Sequence, residues 1–313
     1  RAQVGDDVFG EDPTVNRLQD MAARLLGKEA ALFVTSGTQG NLVAILSHCD
    51  RGDEYIVGQT GHSYYYEGGG AAALGSVSPQ PLWYADDGTL DLDMVERVIK
   101  PADHHHARTR LFCLENTQDG RALPMEYLAE AAAFADHRGL ATHLDGARMF
   151  NAAVKHRVDP RDIAGHFDSV SFCLSKGLGA PVGSVLAGSA GFIDRAHRWR
   201  KALGGGLRQA GVLAAAGIYA LEHHIDRLAE DHANAEALAD GLAALGLDVD
   251  FHPAQTNMVF VNLPEGSDVP LADHLRAYDI VVTAENPIRL VTHLDIDGHD
   301  IDHVLEVTAD FFA

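Results

Sequence analysis

The sequence predicts an α/β protein: a large domain built on a mainly parallel sheet, followed by a smaller α+β domain. Three observations carry this. Over the first two thirds of the chain, short apolar runs alternate with segments of helical periodicity. The apolar runs are only three to six residues long and are bounded by glycine or polar turns, which suits buried strands. After Gly217 the texture changes to a long Ala- and Leu-rich helical stretch and then to short strands. These features place the large domain at residues 1–220 and the small C-terminal domain at residues 221–313.

The first element is a helix. Asp12 is placed to cap it, Pro13 suits its first position and Gly27 can end it, while Val15, Leu18, Met21 and Leu25 recur at helical spacing. Ala30 to Thr35 then reads as a buried strand. Ser36-Gly37-Thr38 opens a second helix with Leu42, Ile45 and Leu46 on its inner face. Strands are expected at Tyr55 to Val57, Arg110 to Leu114, Leu140 to Leu144, Ser169 to Leu174 and Val182 to Ala187, with helices at Asp91 to Ile99 and Met125 to His137. In the C-terminal part a helix is expected at Ile225 to Leu245. Strands follow at Asn257 to Leu263, Ile280 to Thr283 and Ile288 to Val291, and a closing helix from Asp300. Repeats, low-complexity tracts and long linkers are absent from the pattern, so the two domains are expected to pack together.

Composition narrows the function classes. The 313 residues are 46% hydrophobic and 22% charged, the balance of a globular protein with a large core. With 24 Lys plus Arg against 45 Asp plus Glu, the net charge is −21. So acidic a surface repels phosphate backbones, which argues against nucleic acid as a partner. Apolar runs fall well short of the roughly 20 residues that span a bilayer. Neither a secretory leader nor a lipidation motif is seen, and the three cysteines (Cys49, Cys113 and Cys173) sit among apolar residues. A reduced, cytoplasmic protein with no membrane partner is therefore expected.

The strongest chemical constellation is Asp145 with Lys176. His143-Leu144-Asp145-Gly146-Ala147-Arg148 puts a carboxylate at the end of one predicted strand, and Ser175-Lys176-Gly177-Leu178-Gly179 puts a lysine just past another. Taken singly, such an Asp is usually a helix cap and such a lysine a solvated charge. Together, at the carboxyl ends of strands where α/β sheets bind ligands, they match what pyridoxal phosphate needs. The lysine bonds the aldehyde, and the carboxylate keeps the pyridine nitrogen protonated. Ser36-Gly37-Thr38-Gln39-Gly40 supplies a glycine turn at a helix N-terminus, where free N–H groups favour a phosphate.

Beside these residues, the chain resembles the pyridoxal-phosphate threonine aldolases nearly end to end. The blocks that carry the resemblance are Gly5 to Thr14, Thr35 to Thr38, Gln59 to Gly75, His143 to Arg148, Leu174 to Pro181, Gly204 to Gln209 and Arg289 to Asp295. It is most similar to the low-specificity L-threonine aldolases. The resemblance implies the aspartate-aminotransferase-like fold type I and a homotetramer with active sites at a dimer interface. It also implies cleavage of L-threonine, L-allo-threonine and other L-β-hydroxy-α-amino acids to glycine and an aldehyde. By that likeness Lys176 bonds the cofactor, Asp145 partners its ring nitrogen, and Ser36, Gly37 and Thr38 hold its phosphate. Arg148 contacts the cofactor hydroxyl and the substrate carboxylate, and Lys201 and Arg208 reach a neighbouring subunit's phosphate region. Arg289 grips the substrate carboxylate, His62 stacks on the cofactor, His105 contacts the substrate hydroxyl, and Tyr66 lines the same pocket. The proton acceptor is left open between His62, His105 and water.

Two departures stand out. The family's Ser-Asp-Thr motif, whose serine helps bind the substrate carboxylate, is not among these residues, which begin Arg1-Ala2-Gln3. Gln118 stands where the family usually has His; it keeps hydrogen-bonding capacity but carries no proton at neutral pH. The expectation is that nothing in the chemistry turns on it. The run His104-His105-His106 suggests a metal, but consecutive side chains diverge, so no metal site is expected and a metal-dependent hydrolase is disfavoured. Gly68-Gly69-Gly70 lacks the spacing of a nicotinamide fingerprint. The nearest rival is another fold-type-I enzyme, such as a β-eliminating lyase or an amino-acid racemase.

Overall fold

In a computed structural model that describes residues 2–313, seven strands form one sheet: β1 (Ala30–Val34), β2 (Asp53–Gly58), β3 (Ser78–Leu82), β4 (Arg108–Glu115), β5 (Ala141–Asp145), β6 (Ser169–Cys173) and β7 (Ser184–Gly188). Their order is β1-β7-β6-β5-β4-β2-β3. Only β7 runs against its neighbours; β3, β2, β4, β5 and β6 are mutually parallel. Along β4 the side chains alternate between two cores. Phe112 and Leu114 join the large cluster that includes Val15, Leu18 and Phe172, while Leu111 and Cys113 join Leu42, Ile45 and Tyr55. Both sheet faces are thus covered, as the continuous apolar runs predict.

The first helix, Pro13–Leu26, is built as expected. Asp12 Oδ1 accepts from the N–H groups of Thr14 and Val15, and Gly27 closes the helix at φ 64°. That positive φ favours glycine. Helix Gly37–His48 lies on the opposite face, packed on β5, β6 and β7 and on helix Ala190–Ala202.

The C-terminal part has its own antiparallel sheet of β8 (Asp248–Asp250), β9 (Met258–Asn262) and β10 (Ile288–Val291), ordered β10-β9-β8. Helices Leu228–Ala244, Asp268–Arg276 and Gly298–Phe312 flank it, and Leu238, Leu242, Val259, Val261, Leu271 and Ile301 form a separate core.

Three expectations need correction. Ile280 to Thr283 is not a strand: Ile280 and Val282 rest against the small core, but their backbone joins no ladder. Strand β3 was not expected because its sequence is Ser-Pro-Gln-Pro-Leu. Proline is tolerated there because β3 lies at the sheet edge, paired with β2 alone. Strand β8, three residues with an aspartate at each end, was also not expected.

Candidate active site

The carboxyl ends of β4 and β5 lie side by side, and their register pairs Glu115 with Asp145. Two carboxylates therefore emerge at one point of the sheet. Asp145 is buried; its Oδ1 accepts from the Ala147 N–H at 3.1 Å and its Oδ2 from Asn41 Nδ2 at 2.6 Å. The second Asn41 N–H goes to Glu67 Oε1 at 2.9 Å, and that oxygen also meets His62 Nδ1 at 2.9 Å. Glu115 Oε2 accepts from the His62 backbone N–H at 2.8 Å. The ligand atoms of His62, Glu67 and Asp145 all lie within 4.8 Å of one another.

Packing so much negative charge together has a cost. Burial, and after it the Asp145 carboxylate, push the Glu115 carboxyl up to about 8, while the His62 N–H and the charge of Lys176 pull it back. Burial also raises Glu67, against the hydrogen bond from His62. Both groups thus hold protons more readily than an ordinary carboxyl.

The phenol of Tyr84 closes this corner. It lies against the bare Cα atoms of Gly58 and Gly61, where a methyl group would meet it at 1.9 and 2.9 Å. Burial, with the charges of Glu115 and Asp145, raises its pKa well above the usual phenol value.

Lys176 stands in the connection that joins β6 to β7, closed by Gly179 N–H to Lys176 O at 2.8 Å and Leu174 N–H to Gly183 O at 3.0 Å. Its charge is felt at both Glu115 and Cys173. Arg148 follows Asp145 by three residues, and its buried Nε has no hydrogen-bond partner. Burial lowers its pKa, and the guanidinium of Arg289, on β10, adds to that effect. Arg289 is exposed and stands on the second sheet, whereas Arg148 follows the end of β5 in the first. At the start of helix Gly37–His48, Ser36 Oγ caps the Gln39 N–H at 3.1 Å. A methyl on Gly37 would come within 2.9 Å of Cys173 Sγ, so only glycine fits where the helix approaches β6.

The fold brings together Asp145, Lys176, Arg148, Arg289, His62 and the Ser36-Gly37-Thr38 turn. Tyr66 is exposed, with its ring centroid 5.7 Å from that of His62. The same chain does not bring in His105. That residue precedes the first residue of β4, whereas Glu115 and Asp145 end their strands, so the length of the sheet separates them. The placement of His105 at the substrate hydroxyl is therefore not met within one protomer. Lys201 lines a cavity of about 300 Å³ with Val8, Arg198 and Gly206, and Arg208 is paired with Asp6 at 2.7 Å. Neither joins the Asp145 cluster. Gln118 is buried and donates to Asp119 Oδ2 at 2.6 Å.

Of the histidine run, His104 and His105 come together on Asp103, and His106 is not part of the group. Asp103 Oδ1 lies 2.6 Å from His105 Nδ1 and 3.5 Å from His104 Nδ1, and the three ligand atoms fall within 4.8 Å. All three residues are exposed.

Asn41, Glu67, Glu115 and Tyr84 are the site residues that sequence reasoning missed. One signal exists for the first: His143 and Asp145, and Ser169 and Ser171, are polar at alternate positions of apolar strands, so the facing helix must supply polar partners.

The arrangement fits pyridoxal phosphate on its donor set. It offers a carboxylate on which a ring N–H can rest, a lysine amine, an arginine Nε still lacking an acceptor, and a helix start for an anion. Comparisons with known proteins agree. The profile of the family described as Beta-eliminating lyase matches residues 1–265. The Low specificity L-threonine aldolase of Escherichia coli (strain K12) is 54% identical over 303 residues, covering 97% of this chain and 90% of its own. A solved threonine aldolase of Leishmania major superposes with a TM-score of 0.82 at 22% identity, over 97% of this chain and 91% of that one. A serine palmitoyltransferase from S. paucimobilis with bound PLP–myriocin gives 0.77 at 16%, over 99% and 79%. At such identities the last two show a common fold.

Proposed function

The chain belongs to the β-eliminating lyase family, with low-specificity L-threonine aldolases as its near relatives, and from that premise we propose that it is a pyridoxal-phosphate-dependent lyase. It cleaves L-threonine, L-allo-threonine and related L-β-hydroxy-α-amino acids to glycine and an aldehyde, on a fold type I scaffold. The observation that carries this reading is the buried Asp145 carboxylate at the end of β5, next to β6, the strand that leads into the lysine-bearing glycine turn.

Pyridoxal phosphate, when bound, supplies an electron sink for the pair left on the substrate α-carbon as the Cα–Cβ bond breaks. The chain's own residues do the rest. Lys176 would anchor the cofactor aldehyde, and Asp145 would accept the ring N–H. Gly37 and Thr38 would present backbone N–H groups to the phosphate. Arg148 and Arg289 would grip the substrate carboxylate and so fix the orientation of the substrate α-carbon in the site. His62 would lie on the ring face, its Nδ1 anchored to Glu67, leaving Nε2 or a water beside it to take the β-hydroxyl proton.

Arg289→Lys is expected to raise KM for L-threonine about tenfold with a smaller change in kcat. An ammonium replaces a two-pronged donor and forfeits one charge-assisted hydrogen bond worth roughly 1.5 kcal/mol. Steady-state kinetics would read this directly.

The resemblance also supports a homotetramer with active sites at a dimer interface, and the three free, buried cysteines support a cytoplasmic location. Exposed His105 points the same way as the tetramer, being a family site residue that lies at the other end of β4 from Glu115. Among the described residues no helix is long and apolar enough to cross a membrane. The test of the function is a visible spectrum of the purified protein with L-threonine added and products assayed together. Acetaldehyde and glycine in equal amounts support the aldolase. Pyruvate and ammonia from serine, without aldehyde from threonine, would move the assignment to a β-eliminating lyase. Inversion at the α-carbon alone would move it to a racemase. A protein that takes up no pyridoxal phosphate would overturn the cofactor as well.

A further inference from the structure

We propose that Asn41 is a positioning residue that joins the cofactor-facing carboxylate, Asp145, to the His62–Glu67 pair as one hydrogen-bonded unit. The inference rests on the cofactor reading above and deepens it.

Asn41 lies in helix Gly37–His48 and is 1% exposed. All of its hydrogen-bonding capacity is used. Nδ2 donates to Asp145 Oδ2 at 2.6 Å and to Glu67 Oε1 at 2.9 Å. Its Oδ1 accepts from Ser171 Oγ at 2.7 Å and from His143 Nε2 at 3.2 Å. The reverse orientation would set a carbonyl oxygen against two carboxylates, so the amide has one stable setting.

What lies behind it locks that setting. His143 Nε2 must carry its proton to reach Asn41, which leaves Nδ1 to accept from Ser169 Oγ at 2.9 Å. Ser169 Oγ in turn accepts from His48 Nε2 at 2.7 Å. Burial holds both imidazoles neutral, at about 3 for His143 and about 4 for His48. Every donor in the row from His48 to Asn41 therefore points toward the site, and the row ends on two carboxylates. One of these is the proposed partner of the cofactor ring nitrogen; the other orients the histidine proposed to lie over the ring. A change at either carboxylate is felt at the other through a single amide.

The test uses two readouts that do not depend on turnover. One is the dissociation constant of pyridoxal phosphate from the reconstituted protein; the other is the chemical shift of the pyridine nitrogen in protein loaded with 15N-labelled cofactor. Asn41→Leu, which keeps the volume and removes the donors, is expected to weaken cofactor binding about tenfold or more and to move the nitrogen resonance toward the unprotonated form. Asn41→Asp, which keeps the shape and adds a third carboxylate, is expected to weaken binding further. Ser171→Ala, which frees the amide oxygen, gives a smaller shift in the same direction and serves if the Asn41 variants do not fold. Glu67→Gln should move the nitrogen resonance in the presence of Asn41 and leave it unmoved in Asn41→Leu. Folded variants that bind cofactor within twofold of wild type with an unmoved resonance overturn the proposal. So do effects of Asn41→Leu and Glu67→Gln that simply multiply. Failure of the wild-type protein to bind pyridoxal phosphate would instead strike the function reading, so the two failures are distinct.

Discussion

Lys176→Ala is expected to lower threonine cleavage by about a thousandfold or more, while the folded protein survives almost intact. The size of the loss follows from its place. Lys176 is half-buried in the turn between β6 and β7, and the hydrogen bond closing that turn uses its carbonyl rather than its amine. Removing the side chain therefore leaves no orphaned partner, and thermal unfolding should shift by only a degree or two. Chemistry has no substitute for the amine, since the other charged nitrogens proposed for this corner, on Arg148 and Arg289, are guanidinium groups that stay protonated. Borohydride treatment of the wild-type protein should fix the cofactor to the peptide bearing Lys176, as read by mass spectrometry, and leave the variant unlabelled. A variant with a tenth of wild-type turnover, or a label on another lysine, would remove Lys176 from the mechanism.

Asp145→Asn is expected to cost roughly a hundred- to a thousandfold in kcat with a modest loss of thermal stability, whereas Asp145→Ala loses both activity and more of its stability. The contrast arises because Asp145 has two tasks. Its oxygens satisfy Asn41 Nδ2 and the Ala147 N–H inside the fold, and its charge is proposed to hold a proton on the cofactor ring. An asparagine oxygen can still accept one of those bonds and fills the same space, but it carries no charge. Alanine leaves two buried donors unpaired. Turnover of L-threonine and thermal unfolding measured on both variants separate the two tasks. Near-wild-type kcat in Asp145→Asn would show that the charge is not needed.

The large sheet is legible because its strands are buried on both faces and their apolar runs are interrupted by glycine and polar turns. Asp145, Lys176 and the Ser36-Gly37-Thr38 turn are legible for a related reason: each stands where a predicted strand or helix ends. Asn41 is not. It sits inside an apolar helix, and its partner Asp145 is 104 residues away, a separation that no local pattern bridges. Glu67 and Glu115 look like ordinary acidic residues until the fold buries them beside Asp145. Strand β3 is hidden because propensity argues against Ser-Pro-Gln-Pro-Leu, and only its edge position makes the prolines harmless. The apolar pattern at Ile280 and Val282 correctly signals burial; what it lacks is any information about a pairing partner. His105 shows another limit, since a residue whose proposed place is in a neighbouring copy's site has no address within one chain.

The two prolines of β3 do more than fit an edge. The Leu82 carbonyl faces inward, accepting the Gln59 N–H at 2.6 Å, so by alternation Pro79 and Pro81 hold the outward-facing positions. The rim of the sheet thus offers carbonyl acceptors at those positions and no amide donor. An incoming strand would find half of its ladder missing, which makes this flank a poor template for runaway strand addition or fibril growth.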